Sequence, residues 1–242
     1  MSRRRRGPVR RAIRWVLLLL LLAVVSFVGA TALAVYHLRD APPPTSAFML
    51  QARRADPATG LPCPAVEWRW VDRPQIADSL PLAVVLAEDQ RFLLHRGFDM
   101  RQIRKAVEDA GAGERLRGAS TLTQQLAKNL FLWPGGGFLR KGLEAWLVMW
   151  IEGSWSKGRI LEVYLNVAQF GPCVFGAEAA SQRYFERPAA ELEPEQAALL
   201  ATVLPNPARL RAWNPGPYAQ QRRAEILELM QTHRHSRHVR GL

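Results

Sequence analysis

Histidine is scarce in this 242-residue sequence and poorly placed for chemistry. Of five histidines, His233, His235 and His238 crowd the C-terminal end, His37 precedes the main body, and only His95 lies inside it. That distribution excludes most histidine-based triads and multi-histidine metal sites. Cysteine is nearly absent, with Cys63 and Cys173 standing 110 positions apart. An oxidising compartment would permit a disulfide between them, and two free buried thiols are the alternative. Alternating apolar–polar runs are few, VEWRWV at 66–71 being the best strand candidate, so the body reads as mainly α. Internal repeats, zinc-finger spacing, an RNP-like motif and a basic stripe interleaved with aromatics are all missing. The net charge of +12 therefore gives no reason to expect nucleic acid as a partner.

Acidic residues are missing before Asp40. Arg3, Arg4, Arg5, Arg6, Arg10, Arg11 and Arg14 supply seven positive charges, while the remainder holds 26 basic against 21 acidic residues. The high isoelectric point thus describes mostly an N-terminal tail, 1–14. Residues 15–36, WVLLLLLLAVVSFVGATALAVY, carry no charge. As a helix this run spans about 33 Å, enough to cross a bilayer. A cleaved signal peptide is the competing reading, since Ala30-Thr31-Ala32 and Ala32-Leu33-Ala34 resemble cleavage sites. The apolar part of a signal is about 7–15 residues long, so the length favours a retained anchor. The arginine flank predicts a cytoplasmic N-terminus and a single pass, with everything beyond residue 37 outside the inner membrane. APPPTSAF at 41–48 predicts a stiff spacer within a linker and membrane-proximal segment at 37–64. A folded domain is expected over 65–232, followed by a flexible tail at 233–242.

From about residue 78 the pattern is helical. Leu82, Val85, Leu86 and Ala87 form one apolar stripe, and Leu122, Leu126 and Leu130 a second. Leu143, Trp146, Leu147 and Trp150 form a third, and Ile160, Leu161, Tyr164 and Leu165 a fourth. Pro194 suits the first turn of a helix running to Val203.

Four stretches could carry chemistry. EDQRFLLHRGFD at 88–99 sets Glu88 beside Asp89 at the end of an apolar helix. Adjacent carboxylates repel, and partial burial would raise the pKa of Glu88 toward that of a base. GASTLTQQLAKN at 118–129 places Thr121 three residues before Gln124, a capping-box spacing. Beyond it, Gln124 and Lys128 share one helix face, as do Gln125 and Asn129; this is either a solvated face or a row of donors lining a groove. RKGLE at 140–144 sets Arg140 and Lys141 one turn before Glu144, the weaker order for a helix pair but suited to a phosphate and a proton. KGRILEVYLNVAQFG at 157–171 reads mostly as structural support. Ser154-Trp155-Ser156-Lys157 matches S-x-x-K of penicillin-binding acyl enzymes, but no K-T-G follows, and it is treated as chance.

Taken in order, these stretches resemble the signature motifs of the peptidoglycan glycosyltransferases, and EQAALLATVLPNPARLRAWNP at 195–215 resembles that family's closing motif. The resemblance covers roughly residues 65–215, and the end of the chain at 242 points to the monofunctional biosynthetic form. It implies a mainly α, lysozyme-like glycosyltransferase domain with a smaller lobe dipping into the membrane, here behind one N-terminal transmembrane helix. It also implies a peptidoglycan polymerase that transfers the growing glycan from undecaprenyl pyrophosphate to the 4-hydroxyl of lipid II, making β-1,4 linkages with inversion. Glu88 then corresponds to the catalytic base and Glu144 to the second catalytic carboxylate. Lys128, Arg140 and Lys141 correspond to cations near the pyrophosphate, and Asp89, Ser120, Thr121, Gln124, Gln125 and Asn129 to substrate-binding positions. Phe92 and His95 are expected to pack the turn that presents Glu88. No cofactor is required and no dedicated metal cluster is visible, though a divalent cation, Mg or Mn, could sit at the pyrophosphate. Expected partners are lipid II, the glycan strand, membrane lipid and other wall-synthesis proteins.

Ala119 stands where glycine is usual in that family, and Gln169 where glutamate is common. A glycan-cleaving, lysozyme-like transglycosylase is one rival reading, but cleavage gives no reason for pyrophosphate cations or an anchor. An inactive, tethered scaffold is the other, and degraded motif positions would favour it; here both glutamates and all three basic residues are present.

Overall fold

The computed structural model describes residues 7–111 and 120–233. The arginines at 3–6, Ala119 and the tail beyond His233 lie outside the described residues. The chain divides into two units, the first ending at Ala41 and the second beginning at Pro42.

The first unit is one helix, α1 (Gly7–Leu38). It extends past both ends of the uncharged run. Pro8 falls in the first turn, where a missing N–H costs nothing, and no proline follows until Pro42. The Thr31 hydroxyl donates to the carbonyls of Phe27 and Val28, both at 2.9 Å, which satisfies the polar group within the helix itself. The 10–38 part is long and apolar enough to cross a membrane.

The second unit is mainly helical. It begins with α2 (Ala47–Ala52), capped by Ser46, whose hydroxyl accepts from the Met49 amide. Phe48, Met49, Ala52 and Cys63 are buried, and Gln51 Nε2 donates to the carbonyl of Leu132 at 3.0 Å. Much of the segment expected as a linker over 37–64 therefore belongs to the folded unit. Its apolar side chains are clustered with too little periodicity to reveal this beforehand.

Next come β1 (Glu67–Trp68), α3 (Ser79–Glu88), α4 (Met100–Gly111), α5 (Leu122–Phe131), α6 (Phe138–Ser154) and α7 (Lys157–Val167). After them lie β2 (Gln169–Gly171), β3 (Val174–Phe175), α8 (Ala177–Phe185), α9 (Pro194–Val203) and α10 (Pro217–His233). The strand candidate at 66–71 shrinks to β1. It pairs in parallel with β3, which pairs antiparallel with β2. Two helical groups form the core: α3 against α9 and α10, and α5 against α6 and α7. Pro194 opens α9 as expected, with Glu193 and Gln196 making a reciprocal cap.

Two stripes differ from expectation. On α3, Leu80, Ala83, Val84, Val85 and Leu86 are all buried, so the helix is enclosed almost all round; α9 and α10 cover faces that a one-sided stripe would leave to solvent. On α6 the inward side chains are Glu144, Leu147, Val148 and Ile151, while Trp146 and Trp150 are only half-buried. Both sets have helical spacing. A carboxylate on the inward one concealed it from a reading that follows apolar residues.

Candidate active site

Asp99 and Asp89 organise the turn after α3. Asp99 caps α4 by accepting from the Arg101 amide at 2.9 Å and pairs with Arg91 at 3.2 Å. Asp89 is buried; it accepts from the backbone N–H of Leu122 at 3.0 Å, and its other oxygen lies 2.9 Å from His95 Nε2. A carboxylate on the first N–H groups of α5 also complements the positive end of that helix. Thr121 completes the junction. Its hydroxyl donates to the carbonyl of Gly97 at 2.6 Å and accepts from the Gln124 amide, and Gln124 Oε1 takes the Thr121 N–H at 2.9 Å. Gly97 adopts φ +83°, and a Cβ there would lie 2.4 Å from Val148 Cγ1, so only glycine fits.

This geometry separates the two acids of the opening motif. Asp89, Thr121 and Gln124, expected at the substrate, make hydrogen bonds that hold α3 to α5. His95 joins them in the supporting role expected of it, and the Phe92 ring beside it is fully buried. Ser120, just before the cap, is exposed.

Glu88 faces the other way. Gln125 Nε2 donates to its Oε2 at 2.8 Å, and Gln125 Oε1 accepts from the Tyr164 hydroxyl at 2.9 Å. Burial raises the Glu88 carboxyl above the usual glutamate range, while the Gln125 bond, Arg222 and Lys128 pull it part of the way back. Asp89 raises it further but is the least of the influences. Burial likewise pushes the Tyr164 phenol well up, so it remains a neutral donor.

Gln125 and Tyr164 line a cleft of about 340 Å³, together with Lys128, Asn129 and Arg140. Arg140 Nη1 donates to Glu144 Oε2 at 2.8 Å, and Lys141 pairs with Oε1 of the same carboxylate. Glu144 is thus a buried anion held by two cations, of which Lys141 is the more exposed. The buried Nε of Arg140 meets no acceptor among the described residues. Lys128 lies 5.7 Å from the centre of the Phe48 ring. Burial pulls its ammonium below the ordinary lysine range; Glu144 raises it again, and Arg140 and Lys141 lower it further. Phe138 is fully exposed, Leu139 largely so and Trp133 about half, giving an apolar rim on the segment that leads into Arg140.

The opposite wall includes Pro57, Ala58, Gln169 and the 204–208 turn. It is fixed by Asp56, a buried carboxylate that accepts from the Ala58 amide at 2.5 Å, from Gln169 Nε2 at 2.8 Å and from the Cys173 amide. Gln169 supplies the donor that a glutamate could not give beside Asp56. Cys63 and Cys173 form a disulfide, settling the alternatives left open by the sequence. Among the described residues, Asp56 with Cys63 and Cys173 is the one gathering of metal-type ligands, and the disulfide occupies both sulfurs.

A family model described as transglycosylase matches residues 62–231. The chain belongs to the transglycosylase family. It is 47% identical over 216 residues to a protein of Xanthomonas axonopodis pv. citri (strain 306), covering 89% of this chain and 87% of that one. With a protein of Aeromonas hydrophila subsp. hydrophila it shares 49% identity over 212 residues, 88% and 87% of the two chains. With one of Xylella fastidiosa (strain 9a5c) it shares 55% over 157 residues, 65% of each. All three relatives are named biosynthetic peptidoglycan transglycosylase. Membership makes this transglycosylase an enzyme of glycosyl transfer, and its mainly helical body is the architecture expected from the motifs.

Of the residues singled out in the sequence, the fold brings Gln125, Lys128, Asn129 and Arg140 to one cleft, with Glu88 joined to it through Gln125 and Glu144 through Arg140. Arg222 of α10 was not foreseen. Its Nη2 donates to the carbonyl of Ala87 at 3.3 Å, one residue before Glu88. An arginine among the charges of α10 has no local signal; only the packing of α10 on α3 exposes its role. Tyr164 was read as core and is both core and the support of Gln125. Ser154 and Lys157 have structural partners: Ser154 bonds the carbonyl of Trp150, and Lys157 pairs with Glu152 at 2.8 Å.

Proposed function

We propose that this transglycosylase polymerises peptidoglycan by transferring the growing glycan from undecaprenyl pyrophosphate to lipid II. Glu88 takes the proton from the 4-hydroxyl of the acceptor sugar as that oxygen attacks C1 of the growing chain. The bond from C1 to the pyrophosphate oxygen breaks on the opposite face, so configuration inverts from α to β. A carboxylate with a raised pKa is a stronger base than a free one, and such catalysis contributes about 10²–10⁴-fold. The negative charge that grows on the leaving pyrophosphate is met by Lys128, Arg140 and Lys141, with Glu144 holding the last two in place. Cations waiting there favour the transition state over the ground state.

The observation that carries the reading is the pairing of a half-buried carboxylate on Gln125 with a cationic cleft whose Arg140 Nε has no acceptor among the described residues. The exposed apolar rim at Trp133, Phe138 and Leu139 suits a lipid-linked substrate. We further infer that α1 is a retained anchor with its arginine-flanked end in the cytoplasm and the catalytic unit outside the inner membrane. Membrane lipid is then a neighbour, and other wall-synthesis proteins are candidate partners. A protein-held divalent cation does not fit the cleft, because Glu144 is already shared by two cations and the other named groups are cations or amides. No step is routed through a metal. The test is purified protein with labelled lipid II, scored for polymer on a gel. Polymer from wild type and none from Glu88→Gln supports the reading; glycan cleavage, or no turnover by wild type, overturns it.

A further inference from the structure

A second cavity, of about 430 Å³, opens on the surface between Pro172, Val174, Arg183, Tyr184 and Trp213. Its wall is built rather than incidental. The rings of Tyr184 and Trp213 stack at 5.2 Å between centres with an interplanar angle of 28°. Tyr184 lies so close to the end of β2 that a Cβ on Gly171 would meet its hydroxyl at 2.0 Å. Glycine at 171 is what lets the phenol reach over the strand. Burial raises the Tyr184 pKa, so the hydroxyl stays protonated, and its nearest acceptor, the Phe170 carbonyl, is a distant 3.5 Å. The Trp213 ring is 49% exposed. Two cations flank the pair: Arg211 lies 5.8 Å from the centre of the Trp213 ring, and the Arg183 side chain is 61% exposed, with Glu67 only at 3.9 Å.

This cavity is continuous in sequence with the cleft along two routes. Gln169 lines the cleft and Pro172 the cavity, about 10 Å apart along an extended chain. Ala208 lines the cleft and Trp213 the cavity at the other end of one short segment. Aromatic side chains with one wet edge pack on the C–H faces of sugar rings and hydrogen-bond their hydroxyls. A largely exposed Arg183, only loosely paired with Glu67, and Arg211 beside the Trp213 ring favour a polymer with carboxylates. An uncrosslinked glycan strand bearing stem peptides has both properties. We propose that the Tyr184–Trp213 cavity, with Arg183 and Arg211, is a subsite for the glycan strand outside the cleft. The proposal rests on the polymerase reading, because the same strand must thread the cleft. A strand gripped at a second place would dissociate more slowly between additions.

The experiment titrates Glu88→Gln protein, which cannot consume the ligand, with a lipid-free, uncrosslinked muramoyl oligosaccharide carrying stem peptides. Binding is read by calorimetry and tryptophan fluorescence, with thermal melting as the control for folding. Trp213→Ala and Arg183→Glu, each added to that background, should weaken binding at least about fivefold, as the loss of an aromatic contact would. In the otherwise wild-type enzyme the same changes should shorten the polymer made from lipid II. If Trp213→Ala fails to fold, the exposed Arg183→Glu decides alone. Binding as tight as the parent's in the folded variants overturns the subsite, as does no binding by a protein whose wild-type form polymerises lipid II. Failure of wild type to polymerise would sink the polymerase reading instead, while binding dependent on Trp213 would still stand for the subsite.

Discussion

Gln125 holds Glu88 from the side of the cleft: its amide nitrogen lies 2.8 Å from the carboxylate, and its oxygen is itself held by Tyr164 at 2.9 Å. A donor placed on the charged form favours that form and opposes the effect of burial. Gln125→Ala should therefore raise the Glu88 pKa further and move the acidic limb of the pH profile of kcat/KM upward. At neutral pH the rate should fall about tenfold, about 1.4 kcal/mol of barrier. An unmoved acidic limb would remove Gln125 from the base's support.

Glu88→Gln should lower the polymerisation rate about 10²–10⁴-fold. Its effect on stability should have the opposite sign. The Glu88 pKa is raised in the folded state, so protonation stabilises the fold and the benefit is lost as pH rises through the folded pKa. The glutamine variant lacks that loss. Its melting temperature should match or exceed wild type above neutral pH, and the advantage should vanish on acidification. A destabilised variant at pH 8 would contradict the assignment of a buried, penalised charge.

Lys128→Ala and Arg140→Ala should each slow polymerisation at least about tenfold; Lys128→Ala should change the melting temperature little, whereas Arg140→Ala should lower it, because it leaves the buried Glu144 with one cation fewer. Exposed ion pairs are worth under about 1 kcal/mol and would hardly affect turnover. Because burial lowers the Lys128 pKa, the alkaline limb of activity should begin below the range of a free lysine. Lys128→Arg, which keeps its charge, should carry that limb to higher pH.

Replacing Cys63 and Cys173 together by serine should cost about 2–5 kcal/mol of stability, read from the urea midpoint. The bond closes a long stretch of chain and fixes the wall at Pro57 and Ala58, so turnover should fall as well. Equal midpoints with and without a reductant in wild type would show that the disulfide contributes nothing.

A reporter active only in the periplasm, fused after residue 242, should be active. Mature protein beginning at Leu33 or Val35 by N-terminal sequencing would refute the retained anchor.

Much of this site was legible because polymerising chemistry leaves charged residues where packing would not put them. Glu88 ends an apolar helix, and Arg140, Lys141 and Glu144 stand among tryptophans and leucines; both oddities led to the cleft. The Thr121–Gln124 cap was readable from spacing, since capping is local. The structural bonds of Asp89 could not be read beforehand because its partners, His95 and the Leu122 amide, lie 6 and 33 positions away. Arg222 depends on contact between chain segments 135 positions apart. The inward face of α6 was hidden by Glu144, whose burial is tolerable only with two cations beside it. The folded part of 42–64 escaped notice for a similar reason, as its anchors to Leu132 and Cys173 are remote in sequence.

The bond from the Leu122 amide to Asp89 acts as a hinge pin. One peptide link joins Asp89 to Glu88, and two residues separate Leu122 from Gln125. Any tilt of α5 must carry Glu88 and the Gln125 amide along together. Movement of α5 would therefore leave Glu88 and Gln125 aligned with each other. Asp89→Leu, of similar size but with no oxygen to accept the Leu122 amide, would uncouple the two helices.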